Sequence, residues 1–271
     1  MTTWRLLHTP PSAGAWNMAA DEAILEHIYR GESKPTLRLY AWNPPCLSLG
    51  YAQSLKDVDI TRLNSRGWEV VRRMTGGRAI LHTDELTYSV TGSADEPILA
   101  GGVLESYNRL SKALLHAVRK LSLPVEVKEN ADAPATKKPN PVCFEVPSTY
   151  EITVNGRKLI GSAQARKKEG VLQHGSLPLT SDLTRICDAL VFETETAREN
   201  AKERLLARAT TVESVLGAEV SWSRAAEAFV QGFETELNIR FERGEMSPTE
   251  IRRAEELVKE KYAHPSWTER S

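Results

Sequence analysis

The dipeptide Asn155-Gly156, set between the alternating segments 150–154 and 158–165, restricts the possible folds more than any other feature of the chain. A two-residue loop of this kind takes φ > 0 at both central positions and turns one strand directly back on the next. Residues 170–179 supply a further strand. Upstream, 36–41 and 46–51 read as strands separated by the Asn43-Pro44-Pro45 breaker, 69–73 as another, and 79–82 with 86–90 as a hairpin-rich block. Hairpins in place of a regular strand–helix alternation specify an α+β fold with a mixed, mostly antiparallel sheet flanked by helices.

Periodicity places the helices. Met18, Ile24, Leu25 and Ile28 recur near a 3.6-residue spacing over 15–29, and a short helix over 57–65 stops at Gly67. Val103, Leu104, Tyr107, Leu110, Leu114, Ala117, Val118 and Leu121 form one stripe over 103–121, ended by Leu123-Pro124. From Ser181 the chain turns helical. Thr210 with Glu213 has the pattern of a capping box closed by Gly217, and Ala226, Phe229, Val230, Phe233 and Leu237 make an apolar face. Ser247-Pro248-Thr249-Glu250 is a second capping box with proline at the first helical position, and His264-Pro265 ends the helix it opens. The expected organisation is one large domain, 1–242, with a helical extension, 243–271, packed on it.

Charge removes several classes of function. The chain has 35 basic and 36 acidic residues, a balance of −1 that argues against a dedicated nucleic-acid binder. No run approaches the ~18 apolar residues of a membrane helix, and the first residues lack the layout of a signal peptide. Cys46, Cys143 and Cys187 are odd in number and widely spaced, so they form no disulfide framework and no metal-site pattern. A reducing cytoplasm is the expected setting.

Cys143 is the chemical candidate. It lies in Pro141-Val142-Cys143-Phe144-Glu145, inside a stretch, 129–148, that holds four prolines and no periodic pattern. Loops of such length inside a domain are usually functional or disordered. Lys158 follows fifteen residues later, across the Asn155-Gly156 turn. Lowering a thiol pKa by two units takes ~2.7 kcal/mol, and one ammonium about 4 Å away at an effective dielectric near 20 offers ~4 kcal/mol. Arg72-Arg73-Met74-Thr75-Gly76-Gly77-Arg78 ends a strand in a glycine turn whose N–H groups can cradle an oxygen ligand, although a plain hairpin has the same residues. Gly161-Ser162-Ala163-Gln164 is a run of small residues that clears space for a ligand tail or a neighbouring backbone. His82 and His174 fit hydrogen-bonded core histidines. The basic runs Lys137-Lys138 and Arg166 to Lys168 suit either an acidic partner or solvated surface.

Taken together, Arg72 to His82, Glu85-Leu86-Thr87-Tyr88-Ser89-Val90, Asn155 to Gln164 and Gln173-His174-Gly175-Ser176 resemble the lipoate-protein ligase and octanoyltransferase superfamily. Cys143 ahead of Tyr150, Arg78 where ligases usually have a third glycine, and Gln164 with Gln173-His174-Gly175 resemble its octanoyltransferase group with an acyl-accepting cysteine. Thr83 departs from the pattern, where aspartate is frequent; Asp84 follows it. The resemblance implies a bent mixed sheet like that of the biotin and lipoate ligase catalytic domain. It implies octanoyl transfer from acyl carrier protein to a lysine of a lipoyl domain, chiefly the glycine-cleavage H protein, with no cofactor and no metal. It also implies Cys143 as nucleophile and Lys158 as its activator. Arg72, Gly76, Gly77, Arg78, His82, Gly161, Ser162, Ala163, Gln164 and His174 would bind the acyl substrate. An ATP-dependent lipoate ligase, an amidotransferase between lipoyl proteins and a non-catalytic acyl-binding protein are the alternatives.

Overall fold

The computed structural model describes residues 1–129, 150–180 and 182–270. In chain order its strands are β1 Thr2–His8, β2 Thr36–Tyr40, β3 Cys46–Leu49, β4 Glu69–Arg72, β5 Ile80–His82, β6 Glu85–Gly92, β7 Glu126–Glu129, β8 Tyr150–Val154, β9 Arg157–Lys167, β10 Gly170–Pro178 and β11 Ile239–Gly244. The α-helices are α1 Gly14–Tyr29, α2 Ile60–Ser65, α3 Val103–Lys120, α4 Glu195–Arg208, α5 Val212–Leu216, α6 Trp222–Leu237, α7 Pro248–Leu257 and α8 Pro265–Thr268. Eight strands form the main sheet in the order β11-β1-β2-β6-β10-β9-β8-β7, and a small sheet runs β4-β3-β5. In the main sheet β1 pairs in parallel with both β11 and β2, and every other pairing is antiparallel. The fold is therefore the mixed α+β arrangement expected from the hairpins.

Strand alternation divides the main sheet into two chemically different faces. Leu37 and Leu39, then Leu86, Tyr88 and Val90, then Val171 and Leu177 point into the large core beneath α3 and α6. Their neighbours Arg38, Tyr40, Thr87, Ser89, His174 and Ser176 therefore point to the opposite face, where α1 and the small sheet cover them. Helix α1 is buried nearly all round: Met18, Ala19 and Ala23 pack with Cys46, Val71, Ala254 and Leu257, and Ile24 with Leu7. A helix held between a sheet and another helix needs no polar stripe, which accounts for its diffuse periodicity.

Local chemistry sets several boundaries. Asn155 and Gly156 have φ of 50° and 74°, the left-handed pair of a type I′ turn. In α7 the Ser247 hydroxyl accepts from Glu250 N–H at 3.2 Å, and Glu250 accepts from Ser247 N–H at 2.7 Å. Glu250 also takes both guanidinium nitrogens of Arg5, at 2.9 and 2.6 Å, and this ties α7 to the main sheet. The cap of α5 is Thr211, not Thr210: its hydroxyl accepts from Ser214 N–H at 3.1 Å, and Gly217 closes the helix at φ 68°. His264 does not simply end the last helix; it caps α8, accepting from Ser266 N–H at 3.2 Å. Strand β11 spans the boundary expected at 242. Among the described residues no helix is long and apolar enough to cross a membrane.

Candidate active site

Two connected hollows lie on the polar face of the main sheet. The inner one is a narrow hollow walled by Met18, Tyr40, Trp42, Ile80 and Thr87 among others. Of the residues expected to bind substrate, Gly77, His82, Gly161, Ser162, Ala163 and His174 line it. The outer hollow is an open cleft whose lining includes Gly76, Gly77, Arg78, Lys158, Ser162 and Gln164. Gly77 and Ser162 belong to both, so the two spaces meet there.

Small residues make the inner space. Gly77 sits at φ +91°, a conformation that side chains other than glycine rarely adopt. A Cβ at Gly175 would lie 2.6 Å from both the Gly161 carbonyl and Ser162 Oγ, so only glycine lets β9 and β10 sit this close beside Tyr88. That approach leaves the Tyr88 hydroxyl 2.8 Å from Ser162 Oγ.

The polar walls are braced from behind. His82 Nε2 lies 2.6 Å from Ser48 Oγ and its Nδ1 lies 2.6 Å from Glu85 Oε1. Trp42 stacks on the His82 ring at 3.9 Å and donates its indole N–H to Thr87 Oγ1 at 2.8 Å. Thr87 in turn donates to Glu85. Burial works to raise the Glu85 pKa, but His82 beside it and these hydrogen bonds outweigh burial and hold the carboxyl below its usual range. Arg73 donates to the Ser48 hydroxyl at 2.6 Å and, from its other terminal nitrogen, to the carbonyls of Gly76 and Arg78 at 3.1 and 3.0 Å. It thus shapes the glycine turn.

His174 braces the same turn from the sheet. Its Nε2 lies 2.6 Å from Thr75 Oγ1, and its Nδ1 is 3.9 Å from Asp21 on α1. Burial pushes the His174 pKa down against the opposing pull of Asp21, which favours the neutral ring. The carboxylate of Asp21 is committed elsewhere: Arg38 donates to it at 2.8 Å, Ser89 at 2.7 Å and Tyr40 at 3.2 Å. Asp21 is consequently held below the ordinary carboxylate range in spite of its burial.

A strand irregularity sets the direction of Lys158. Thr153 pairs with Lys158 while Ile152 pairs with Ile160, so Leu159 is an extra residue in β9. Leu159 and Ile160 both enter the large core. Without the bulge, Lys158 would share the face of Ile160; with it, Lys158 turns to the face of Thr153, away from that core. Its side chain is buried along the outer cleft, and its carbonyl accepts from Thr210 N–H at 3.0 Å.

Cys143 lies outside the described residues. Arg72 lines neither hollow. Its guanidinium instead donates to the carbonyls of Gly50 and Tyr51 at 3.0 and 3.2 Å and of Thr268 and Arg270 at 2.6 and 3.1 Å, clamping the chain around α8 to the 50–53 loop. Gln164 borders the cleft, but its amide is occupied by Ser106, Arg166 and Gln173. Cys46 is fully buried, and burial, then Glu69 and Glu85, push its thiol pKa up, so it is no nucleophile. Among the described residues no three His, Cys, Asp or Glu side chains converge as a metal site.

The model of the lipoyl protein ligase A/B catalytic domain matches residues 13–234. The chain belongs to the lipoyl protein ligase A/B catalytic-domain family. It is 43% identical over 269 residues to octanoyltransferase LipM of Moorella thermoacetica, covering 99% of this chain and 98% of that one. It is 42% identical to octanoyltransferase LipM of Kyrpidia tusciae over the full length of both. Among solved structures, the bipartite lipoate protein ligase of Thermoplasma acidophilum superposes with a TM-score of 0.81 at 26% identity, covering 99% of this chain and 97% of that chain. Within this lipoyl ligase family chain, Ser48, Thr75, Glu85 and Thr87 are site residues that sequence reasoning did not single out as contributors. For Ser48, Glu85 and Thr87 the available signal was polar residues at alternate positions of otherwise apolar strands; Thr75 lies in the turn between β4 and β5.

Proposed function

We propose that the chain is an octanoyltransferase of protein lipoylation that works through a thioester on Cys143. The Cys143 thiolate attacks the carbonyl carbon of octanoyl-acyl carrier protein, a new C–S bond forms, and the carrier's C–S bond breaks. The carrier leaves as a thiolate and takes up a proton. A lysine amine of a lipoyl domain, such as that of the glycine-cleavage H protein, then attacks the octanoyl-Cys143 carbonyl. An amide forms, the C–S bond to Cys143 breaks, and the proton lost by the amine balances the released thiolate. Both acyl holders before the amide are thioesters, so the first exchange is near balance and amide formation pulls the sequence forward.

The observation that carries this reading is the junction of an apolar hollow with a cleft that Lys158 borders. The hollow suits the chain: six methylenes at ~0.8 kcal/mol each supply ~5 kcal/mol of binding on burial. An ammonium beside the junction suits a sulfur that must ionise there. The full-length likeness to octanoyltransferases supports the acyl group, and the likeness to lipoate ligases supports a lipoyl-domain acceptor.

Intact-mass spectrometry after mixing with octanoyl-acyl carrier protein tests it. One octanoyl adduct is expected, located on Cys143, lost in Cys143→Ala and kept in Cys46→Ala and Cys187→Ala. Ligation of free octanoate with ATP that persists in Cys143→Ala would instead establish an ATP-dependent ligase.

A further inference from the structure

The outer cleft carries a charge distribution that octanoyl binding does not use. Arg78, Lys158, Arg166 and Lys167 line it, and among the described residues no acidic side chain does. The chain as a whole carries −1, so this is a local concentration and not a reflection of overall basicity. Neither Arg78 nor Lys167 has an ion-pair partner among the described residues. The field reaches Tyr51 at the cleft's edge. Arg270 lies 3.6 Å over its ring, and Arg270 first, with Lys167 adding to it, draws the phenol pKa below its ordinary value.

The arrangement along β9 is directional. Gly161, Ala163 and Ala165 alternate on the face of β9 that looks onto the hollows, and the next residue in that series is Lys167, the last of the strand. The acyl pocket ends at Ser162, shared by both hollows. At about 3.3 Å per residue, Lys167 stands roughly 17 Å along the strand from it. A smooth floor thus leads from the point where a thioester would react to an exposed ammonium.

We infer that the outer cleft is a phosphate-ester site in which Lys167, at the end of the cleft-facing row of β9, holds the phosphodiester of a carrier's pantetheine arm. This assignment rests on the octanoyltransferase reading. Thirteen bonds separate sulfur from phosphorus in such an arm. An extended chain covers about 3.5 Å for every three bonds, so the arm spans about 15 Å, close to the interval from Ser162 to Lys167. Alanine and glycine along the floor leave room for the arm, and a monoanionic phosphate answers the Lys167 ammonium, which has no ion-pair partner among the described residues. A nucleoside phosphate has the same anionic chemistry, and the experiment separates the two.

The test compares two small donors, octanoyl-phosphopantetheine and octanoyl-pantetheine, by the rate of octanoyl adduct formation on the full chain. The wild-type protein is expected to favour the phosphorylated donor by about tenfold in kcat/KM, carried by KM, with the preference falling as salt rises. Lys167→Glu should bring the ratio near one, and Lys167→Arg should restore most of it. Lys167 is exposed, so neither substitution threatens the fold. Equal use of the two donors by the wild-type protein, or a ratio unmoved in Lys167→Glu, overturns the inference while leaving the octanoyltransferase reading intact. ATP abolishing the preference at micromolar concentration would assign the cleft to a nucleotide and overturn it as well. No adduct from either donor would defeat the underlying reading.

Discussion

The inner pocket and the outer cleft share Gly77 and Ser162 but treat charge in opposite ways. Around the pocket, Arg38 is matched by Asp21, Arg73 is spent on Ser48 and the glycine turn, and Glu85 is held by His82 and Thr87. Along the cleft, basic side chains line the walls with no acid between them among the described residues. Buried charges must be paired because desolvation is otherwise too costly, whereas half-exposed cations can wait for a ligand in water. The pocket's ions are therefore part of the folded scaffold, and the cleft's belong to recognition.

That contrast can be broken by measurement. Glu85→Ala should cost about 3 kcal/mol of stability in urea unfolding, since it strips His82 of its partner inside the wall. Arg78→Ala should stay within about 0.5 kcal/mol of the wild type. Equal losses in the two variants would erase the distinction. Ala163→Trp intrudes on the pocket and should leave the cleft's cations in place. Denying burial to three of six methylenes removes ~2.4 kcal/mol, a factor of about sixty in octanoyl capture, read from the rate of adduct formation. A smaller effect belongs to His174. Its folded pKa lies below the ordinary 6.5, so the unfolded chain binds the proton more readily. Its contribution to stability is complete above pH 6.5 and is lost as the pH falls from there through the folded pKa. His174→Gln should flatten that limb of the stability profile. The carboxylates Asp21, Glu85 and Glu250, all depressed, leave an acid limb below about pH 4.5 in both proteins.

Features written into contiguous residues were legible in the sequence. The Asn155-Gly156 turn and the Ser247 capping box depend on neighbours within a few positions, and the structure places both where local chemistry puts them; the α3 stripe is buried from Leu110 onward, while Val103 and Leu104 at its start are exposed. Strand β11 was not legible, because Ile239 to Gly244 is a strand only through its parallel pairing with β1, more than two hundred residues away. Helix α4 shows little stripe because it rests on the small-sheet side through few residues, chiefly Arg198, Ala201 and Leu205. At the site, the glycine turn and the small residues of β9 could be read, since both are defined by what they lack. The bracing could not: Asp21, Arg38, Ser48 and Glu85 come from four separate elements, and only the folded sheet brings them behind one wall. The clamp that Arg72 makes on the chain around α8 was not legible for the complementary reason. Arg72 adjoins Arg73 in the motif, but strand alternation sends the two guanidiniums to opposite sides.

The extra residue at Leu159 gives the hairpin a fixed parity. Whereas deleting Leu159 itself would only remove the bulge and leave Lys158 opposite Thr153, deleting Arg157 would bring Lys158 opposite Val154, into hydrocarbon, and swing Leu159 to the face of Thr153. Loss of function would then come with an almost unaltered shape. Which single residue is lost therefore matters more than the length itself, and a lineage that shed Arg157 would forfeit the direction of its ammonium before it forfeited its fold.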